Sequence, residues 1–251
     1  MTFEDLKEYL DFKANQYESP LFIEKDPIQI PHRFSKKEDV EIAAFFMATI
    51  AWGNRQSILK SGERLMEIFD HDPYNFIINY KSGTQLPFVH RTFNPTDLDF
   101  FCRSLKNIYK NEGLQNAFEI QEGQEKNLQQ RIVNFRNTFL AVKHEKRSEK
   151  HISNPEKNSA CKRLVMFLRW MVRSSEKGVD FGLWNQIPKS ELYIPLDVHT
   201  GNVARSLGIL NRKQNDWKTN EELIQYLRKM DANDPGKYDF ALFGVGVNKE
   251  L

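Results

Sequence analysis

The spacing of apolar residues predicts helices along almost the whole chain. Residues 40–52, VEIAAFFMATIAW, are apolar on nearly every side, which is typical of a helix in the middle of a bundle. Ser35 and Glu38 predict a capping box before that helix, and Gly53 predicts its end. Because no alternating apolar run is long enough for a sheet, the sequence predicts an all-α fold. Apolar stripes at helical spacing recur over 58–69, 98–109 and 161–172.

Polar residues beside these stripes predict where other helices begin and end. The stretch 194–210, IPLDVHTGNVARSLGIL, predicts a helix that starts directly after Asp197 and ends at Gly208. The charged segment 143–158, KHEKRSEKHISNPEKN, predicts a mobile or exposed connection. Further helix starts are predicted at Thr96 with Asp99, at Thr219 with Glu222, and at Asp234 with Pro235.

The composition indicates a globular protein with a core. A chain of 251 residues, 40% of them hydrophobic, can form one large domain or two small ones. Cys102 and Cys161 are too few for a disulfide framework, an iron–sulfur cluster or a cysteine-only zinc site. The N-terminal stretch is acidic and no segment has the ~20 apolar residues of a membrane span. We therefore expect a soluble, cytoplasmic protein with neither a cofactor nor a membrane partner.

Positive charge is concentrated in one part of the chain. The formal net charge is only +2, yet residues 131–173 contain eleven lysines or arginines and three glutamates. Segregated charge of this kind is typical of a phosphate-binding face, although a solvated basic helix would have the same composition.

Asp197 is the residue whose position most suggests a chemical role. Pro195 precedes it and a helix follows, so its simplest role is an N-cap that accepts a hydrogen bond from the NH of residue 199 or 200. The alternative is a carboxylate held by a rigid proline turn against a ligand on which positive charge develops. The residues alone allow both roles. Neither paired metal-ligand spacing nor a nucleophile elbow accompanies His199, so we expect no metal site and no Ser-His-Asp triad.

Four segments of the C-terminal third together resemble a known family. They are KRLVMFLRWMVR, VDFGLW, PLDVHTGNVARSLG and YDFALFGVGV. The Pro-x-Asp-x-His pattern with its helix resembles that of the helix–hairpin–helix/Gly-Pro-Asp superfamily of DNA glycosylases. The combination is similar to an uncharacterised bacterial family assigned to that superfamily. The resemblance extends over residues 35–251 and is strongest over 160–247.

The resemblance implies a chemical role for two residues. Asp197 matches the catalytic aspartate, which stabilises an oxocarbenium-like sugar as the glycosidic bond breaks and orients the nucleophile. Lys162 stands where bifunctional members carry the lysine that attacks C1′ of the sugar and forms a Schiff base, and Arg163 is adjacent to it. A surface or phosphate-contacting role for Lys162 is an equal alternative.

The loop before Lys162 departs from the family pattern. Relatives have two glycines there, whose backbone NH groups bind a DNA phosphate, whereas SNPEKNSACK contains none. Phosphate contacts are then expected from helix N-terminal amides near Ser159 and from side chains. The side chains assigned to nucleic-acid contact in this part of the chain are Lys157, Arg163 and His199.

The resemblance also implies contacts with an extruded base and with the gap it leaves. The turn after the helix AFFMATIAWG supplies Asn54, Arg55 and Gln56 as candidates for filling that gap. The alternative is that Trp52 is a core residue and Gly53 only a helix cap. Phe181 and Trp184 are the candidate walls of a base pocket, although aromatic residues at such spacing more often pack in a core.

Together these observations predict an all-α, two-lobed helical bundle of the helix–hairpin–helix DNA glycosylase type. Residues 1–251 form one glycosylase-like unit, with a central lobe at 35–150, a catalytic lobe at 151–251, and 1–34 packed on one of them. The expected function is a DNA N-glycosylase for damaged bases in double-stranded DNA, with or without AP-lyase activity. The alternative is a non-catalytic nucleic-acid-binding protein on the same scaffold. No obligate protein partner is expected.

Overall fold

The computed structural model describes residues 1–84 and 86–251, and its regular structure is helical. Within these residues there is no β-strand, and pairing is limited to the isolated bridges His90–Phe93 and Ser159–Asp216. The all-α prediction is confirmed. The helices are α1 (Phe3–Tyr17), α2 (Pro20–Ile23), α3 (Lys37–Ile50), α4 (Arg55–Ile68), α5 (Pro73–Asn79), α6 (Pro95–Asn111), α7 (Leu128–Leu140), α8 (Lys162–Val172), α9 (Val198–Ser206), α10 (Trp217–Met230) and α11 (Tyr238–Asn248).

The chain forms two compact units. The terminal unit contains residues 1–24 and 155–251, and the central unit contains residues 25–154. Lys162 and Asp197 therefore belong to the same unit. In the described part of the chain, no helix combines the length and the apolar composition that crossing a membrane requires.

Helix α3 forms the core of the central unit. Every residue from Asp39 to Ile50 is buried, which agrees with the apolar pattern on all sides of this helix. The ring of Phe45 lies 5.8 Å from that of Phe101 on α6 and 5.5 Å from that of Phe135 on α7, measured between centroids. Helix α3 also packs against α4 and α5. Aromatic contacts thus connect one buried helix to the others around it.

Helix α11 is the central helix of the terminal unit, as α3 is of the central unit. Both α1 and α9 pack against it. The ring of Tyr17 lies on Gly244, in the space that a Cβ atom would occupy. At Gly246 a Cβ atom would meet the Cβ atom of His199 at 3.1 Å. The two glycines allow α1 and α9 to approach α11 more closely than larger residues would.

Several predicted helix starts are wrong by a few residues. Helix α3 follows Lys36 without a side-chain cap, α6 follows Asn94, and α10 follows Asp216, where the sequence predicted Ser35, Thr96 and Thr219. Asn94 and Asp97 form the capping box of α6, and Pro95 fits the first turn because its φ is fixed and it has no NH to satisfy. Asp234 and Pro235 open a short 3₁₀ turn, after which α11 begins at Tyr238.

The prediction of an exposed or mobile connection at 143–158 is also wrong for much of that segment. Residues Lys146–His151 form a 3₁₀ helix in which Ser148 and His151 are buried. The Ser148 hydroxyl donates to Asp97 Oδ1 at 2.6 Å, and Arg147 Nη1 donates to the same atom at 2.8 Å. The charged residues of this segment thus differ in their surroundings: Arg147 pairs with the first turn of α6, whereas Lys146 and Lys150 are exposed.

Candidate functional site

Asp197 lies at the end of a buried segment and at the start of α9. Ile194, Pro195 and Leu196 are all buried, so the chain that leads to Asp197 is fixed by packing. Asp197 has an extended backbone, and its Oδ1 atom accepts a hydrogen bond from the NH of Thr200 at 2.9 Å. The predicted N-cap is confirmed.

The second carboxylate oxygen of Asp197 faces Lys162. Nζ of Lys162 donates to Asp197 Oδ2 at 3.1 Å, and the two side chains are 36% and 14% exposed, respectively. Lys162 is the first residue of α8, so this pair joins the beginnings of two helices. Because the helix cap uses Oδ1 and the contact with Lys162 uses Oδ2, Asp197 makes both interactions at the same time. The two residues that the resemblance singled out are therefore neighbours.

The turn before α8 is tight although it contains no glycine. Asn158 and Cys161 both have positive φ values, +60° and +48°. Asparagine adopts the left-handed region more readily than most residues, whereas cysteine has no such preference. Residues Pro155–Lys157 form a single 3₁₀ turn rather than an α-helix, and Lys157 is exposed at its end. The chain thus reaches α8 through two residues other than glycine, Asn158 and Cys161, that have left-handed backbone conformations.

Two further charged residues belong to the surroundings of the Lys162–Asp197 pair: Arg163, which follows Lys162 and is half-buried, and Asp239, which is close enough to interact with the charge of Asp197. Burial lowers the pKa of Arg163 to about 10. Asp239, on α11, is buried and accepts a hydrogen bond from Arg169. Burial raises the pKa of Asp239 to about 6; Arg169 opposes this shift and the charge of Asp197 adds to it. Sequence reasoning missed Asp239, for which the signal was a lone carboxylate in the otherwise apolar stretch YDFALFGVGV.

A buried ion network continues from Arg169. Arg169 Nε donates to Asp180 at 3.3 Å. Arg173 Nη1 donates to Glu18 at 2.6 Å and to Asp180 at 2.8 Å, and its Nη2 donates to Asp234 at 2.9 Å. The network connects α8 to the segments around it, and its arginines point inward. Two cations that the sequence assigned to a phosphate-binding face thus have a structural role.

The basic segment 131–173 is consequently less cationic at the surface than its composition indicates. In the central unit, Arg136 pairs with Glu149 at 3.2 Å and Arg147 pairs with Asp97 at 2.8 Å. The segment still has exposed lysines, which are Lys143, Lys146, Lys150 and Lys157. Ion pairs therefore neutralise part of the positive charge of this segment, and these lysines remain at the surface.

The two candidate base-pocket residues have different surroundings. Trp184 is 1% exposed, its ring lies edge-on to Phe167 at 5.3 Å, and its backbone NH donates to the carbonyl of Met171 at 2.9 Å. It is a core residue with no face open to a base, which corrects the prediction for this position. Phe181 is half-buried, and its NH donates to the carbonyl of Trp170 at 2.8 Å.

The turn at 54–56 lies at the surface of the central unit. Asn54 is exposed and caps α4, since its Oδ1 atom accepts a hydrogen bond from the NH of Ser57 at 3.3 Å. Arg55 is half-buried and Gln56 is exposed. Three residues separate Asn54 from the end of α3, and Arg55 and Gln56 are the first two residues of α4.

Trp52 and Gly53 precede this turn. Trp52 is half-buried, with its ring stacked on His151 at 5.9 Å and edge-on to His90 at 5.2 Å. Gly53 has a φ of +104°, and the guanidinium of Arg91 occupies the space beside it. Arg91 is exposed and was missed by sequence reasoning, because only the folded chain brings it to Gly53.

His199 is exposed on the first turn of α9. Among the residues that the structure describes, no group of three or more His, Cys, Asp or Glu side chains is arranged to hold a metal ion. The two reactive groups that the structure brings together at this site are the Lys162 amine and the Asp197 carboxylate.

The fold and the site together define a class of protein. It is all-helical, and it has a lysine amine beside an aspartate that follows a proline turn. Within that class, the chain belongs to a family of proteins of unknown function, DUF2400, whose profile matches residues 26–248. The uncharacterised family expected from the sequence is thereby confirmed. No curated protein and no solved structure matches the chain.

Proposed function

We propose that the protein is a DNA N-glycosylase that removes a damaged base from double-stranded DNA, with an AP-lyase step through Lys162. The observation that carries this proposal is the 3.1 Å contact between Lys162 Nζ and Asp197 Oδ2. A purely structural N-cap needs no amine beside it, and a lysine that only contacts phosphate gains nothing from a neighbouring carboxylate. An amine nucleophile and a carboxylate are the two groups that this chemistry requires in one place.

Each group has a defined task in the proposed reaction. Lys162 Nζ first loses a proton to solvent, and the lone pair that this frees forms a bond to C1′ of the sugar. The C1′–N bond to the base breaks, and the base leaves with that electron pair and takes up a proton. The carboxylate of Asp197 stabilises the positive charge that develops on the sugar. Loss of a proton from Nζ and opening of the C1′–O4′ bond then give the Schiff base. Elimination of the C2′ proton breaks the C3′–O3′ bond and cuts the strand.

The proposal includes a fold of the helix–hairpin–helix glycosylase type and a set of DNA contacts. Support comes from α8 and α9, because Lys162 is the first residue of α8 and Asp197 is the N-cap residue directly before α9. The predicted side chains that are exposed or half-buried remain candidates for phosphate and base contact. Trp184 is no longer a candidate, because it is buried in the core. These candidates are Lys157, Arg163 and His199 in the terminal unit, Phe181 as a pocket wall, and Asn54, Arg55 and Gln56 in the central unit.

Borohydride trapping tests the proposal directly. The protein is incubated with duplexes that contain 8-oxoguanine, uracil, thymine glycol, an alkylated base or an abasic site, and any Schiff base is reduced to a stable adduct. We expect an adduct on at least one duplex, no adduct with Lys162→Gln, and a loss of at least about a hundredfold in base release with Asp197→Asn. Lys229→Gln, an exposed lysine of the same unit, is the matched control and retains trapping.

The second candidate function is non-catalytic binding of nucleic acid on the same scaffold. The observation that favours it is the turn before α8, a loop without glycine in which Asn158 and Cys161 have left-handed backbone conformations. The backbone NH groups that would bind a DNA phosphate are therefore arranged differently from those of a glycine hairpin. This function predicts DNA binding that weakens with salt, without base release or trapping on any of the duplexes. That combination of results would replace the glycosylase proposal.

A further inference from the structure

The loop between α9 and α10 contacts the backbone beside both residues of the Lys162–Asp197 pair. Nδ2 of Asn215 donates to the backbone carbonyl of Asp197 at 2.8 Å. The next residue, Asp216, accepts a hydrogen bond from the side chain of Asn158 at 2.9 Å and forms a bridge with Ser159. One short stretch of chain therefore holds the start of α9 on one side and the turn that leads to α8 on the other.

Asn215 is itself held in place. Its Oδ1 atom accepts a hydrogen bond from Arg205 Nη2 at 2.6 Å. Arg205 also donates to the carbonyls of Arg212 at 2.6 Å and Gln214 at 3.1 Å, so the same guanidinium also fixes the part of the loop that leads to Asn215. With both ends of its amide bonded, Asn215 has one orientation in which to meet Asp197.

Gly201 provides the space that Asn215 occupies. A Cβ atom at Gly201 would lie 2.6 Å from Asn215 Oδ1 and 3.0 Å from its Nδ2. Gly201 is in the middle of α9 and has ordinary helical geometry, so its backbone does not require glycine. The missing side chain allows the amide of Asn215 to lie directly against the helix that Asp197 begins.

We infer that Asn215 is a positioning residue that, through the backbone of Asp197, sets the distance between the Asp197 carboxylate and the Lys162 amine. This inference rests on the proposed function for its chemical consequence, because the reaction requires both groups at one sugar carbon. Asn215 acts through the backbone and touches neither reactive atom. Its loss lowers the rate of the chemical step, because small displacements of reacting groups are costly, and leaves DNA affinity unchanged.

Two variants test the inference in different ways. Asn215→Asp has the same shape but cannot donate to the Asp197 carbonyl. Gly201→Ala displaces the Asn215 amide, yet alanine favours a helix more than glycine does. The change is therefore expected to stabilise α9 while it disturbs the positioning of Asp197. The matched control is Asn111→Asp in the central unit, which removes a similar amide donation, from Asn111 Nδ2 to the carbonyl of Asn107 at 2.8 Å, and adds the same charge.

The first readout is single-turnover trapping at saturating concentrations of abasic-site DNA. We expect Asn215→Asp and Gly201→Ala to lower the rate constant about tenfold, with the dissociation constant for DNA unchanged and the control at the wild-type rate. A merely structural role would reduce the fraction of active protein, and therefore the amplitude, but not the rate constant. Loss of amplitude with a wild-type rate constant would overturn the inference.

The second readout does not depend on activity. Lysine amines are labelled by reductive ¹³C-methylation, and the Lys162 resonance is identified by its absence in Lys162→Arg. We expect Asp197→Asn to shift this resonance, and the uncharged change Gly201→Ala to shift it in the same direction, while Asn111→Asp leaves it in place. If no duplex is a substrate, the proposed function fails but this shift still supports the positioning role. An unshifted Lys162 resonance in Gly201→Ala would overturn the positioning role even in an active enzyme.

Discussion

At the scale of single residues, Asp197 shows how one side chain can have a structural and a chemical task. Its Oδ1 atom closes the first turn of α9, and its Oδ2 atom faces the Lys162 amine. A cap requires only an oxygen acceptor, whereas stabilising a cationic sugar requires negative charge. The two tasks can therefore be separated by substitution.

Asp197→Asn and Asp197→Ala should differ in stability but not in activity. Asparagine caps a helix about as well as aspartate, so the unfolding free energy of Asp197→Asn should stay within about 0.5 kcal/mol of the wild type. Asp197→Ala should lower the unfolding free energy by about 1 kcal/mol. Both variants remove the negative charge and should abolish base release. Chemical denaturation and a base-release assay measure the two effects. An active Asp197→Asn protein would show that Asp197 is only a cap.

At the scale of elements, Asp97 holds the Lys146–His151 turn against the start of α6. Nε2 of His151 lies 3.2 Å from Asp97 Oδ2, and Ser148 and Arg147 both donate to Asp97 Oδ1. Burial by itself would raise the pKa of Asp97, but the contacts with His151 and Ser148 outweigh it and lower the pKa to about 2. The ionised carboxylate is therefore the form that the folded protein favours.

Asp97→Ala should destabilise the central unit by about 3–5 kcal/mol at neutral pH, because it leaves buried partners without their carboxylate. The folded pKa lies below the ordinary value of about 3.9, so Asp97 contributes its stability above about pH 4 and loses it as the pH falls towards 2. The difference in unfolding free energy between wild type and variant should shrink over that interval. Denaturant titrations from pH 7 to pH 2.5 measure it.

Limited proteolysis provides a second measurement of the same prediction. Asp97→Ala should make the segment 143–154 accessible to trypsin, while Glu119→Ala, an exposed carboxylate of the same unit, should leave the digestion pattern unchanged. Equal protection of the segment in Asp97→Ala and in the wild type would show that Asp97 does not anchor this turn.

At the scale of the whole molecule, the first residues of the chain belong with the last hundred. Helix α1 packs along α11, and Glu18 joins the buried network through Arg173. In the middle of α1, Asp11 accepts a hydrogen bond from the hydroxyl of Tyr238 at 2.9 Å. The terminal unit is therefore assembled from segments that are far apart in sequence, and it requires α1 to be complete.

Leu10→Ala should destabilise the terminal unit by about 2–5 kcal/mol, because Leu10 is fully buried on α1. Trp170, Trp184 and Trp217 are all buried in this unit, so a Trp52→Phe background makes tryptophan fluorescence specific for it. Phe12→Ser is the control, since Phe12 is on the same helix and 63% exposed. A denaturation midpoint of Leu10→Ala equal to that of the control would contradict the placement of α1 in this core.

Much of the fold could be predicted because its signals are local. The helical period over 40–52 depends on residues within a few turns of one another, and α3 is buried on all sides as that pattern indicates. The helix start at Asp197 is equally local, since an acceptor three residues before an NH is a property of the chain itself. Where two cap candidates stood close together, as in 94–99, the local signals were ambiguous and the prediction was wrong.

Chemistry that depends on contacts between distant residues could not be predicted from composition or periodicity. In the sequence Arg173 was one cation of a basic segment, and only the fold places it between Glu18 and Asp234. Trp184 was a candidate for either a pocket wall or a core residue, and only the fold shows that it is core. Net charge and residue type do not specify burial, which depends on segments that arrive from elsewhere in the chain.

The sequence by itself determined the helical class, the cap at Asp197 and the choice of Lys162 and Asp197 as residues of interest. Only the tertiary structure decided that their side chains meet, that Asn215 holds the Asp197 carbonyl, and that Asp97 orders a charged segment. The physical reason is the separation along the chain of the residues that interact. Helix formation and capping depend on interactions within a few residues, whereas ion pairs and backbone anchors form only after the chain has brought distant residues within about 3 Å.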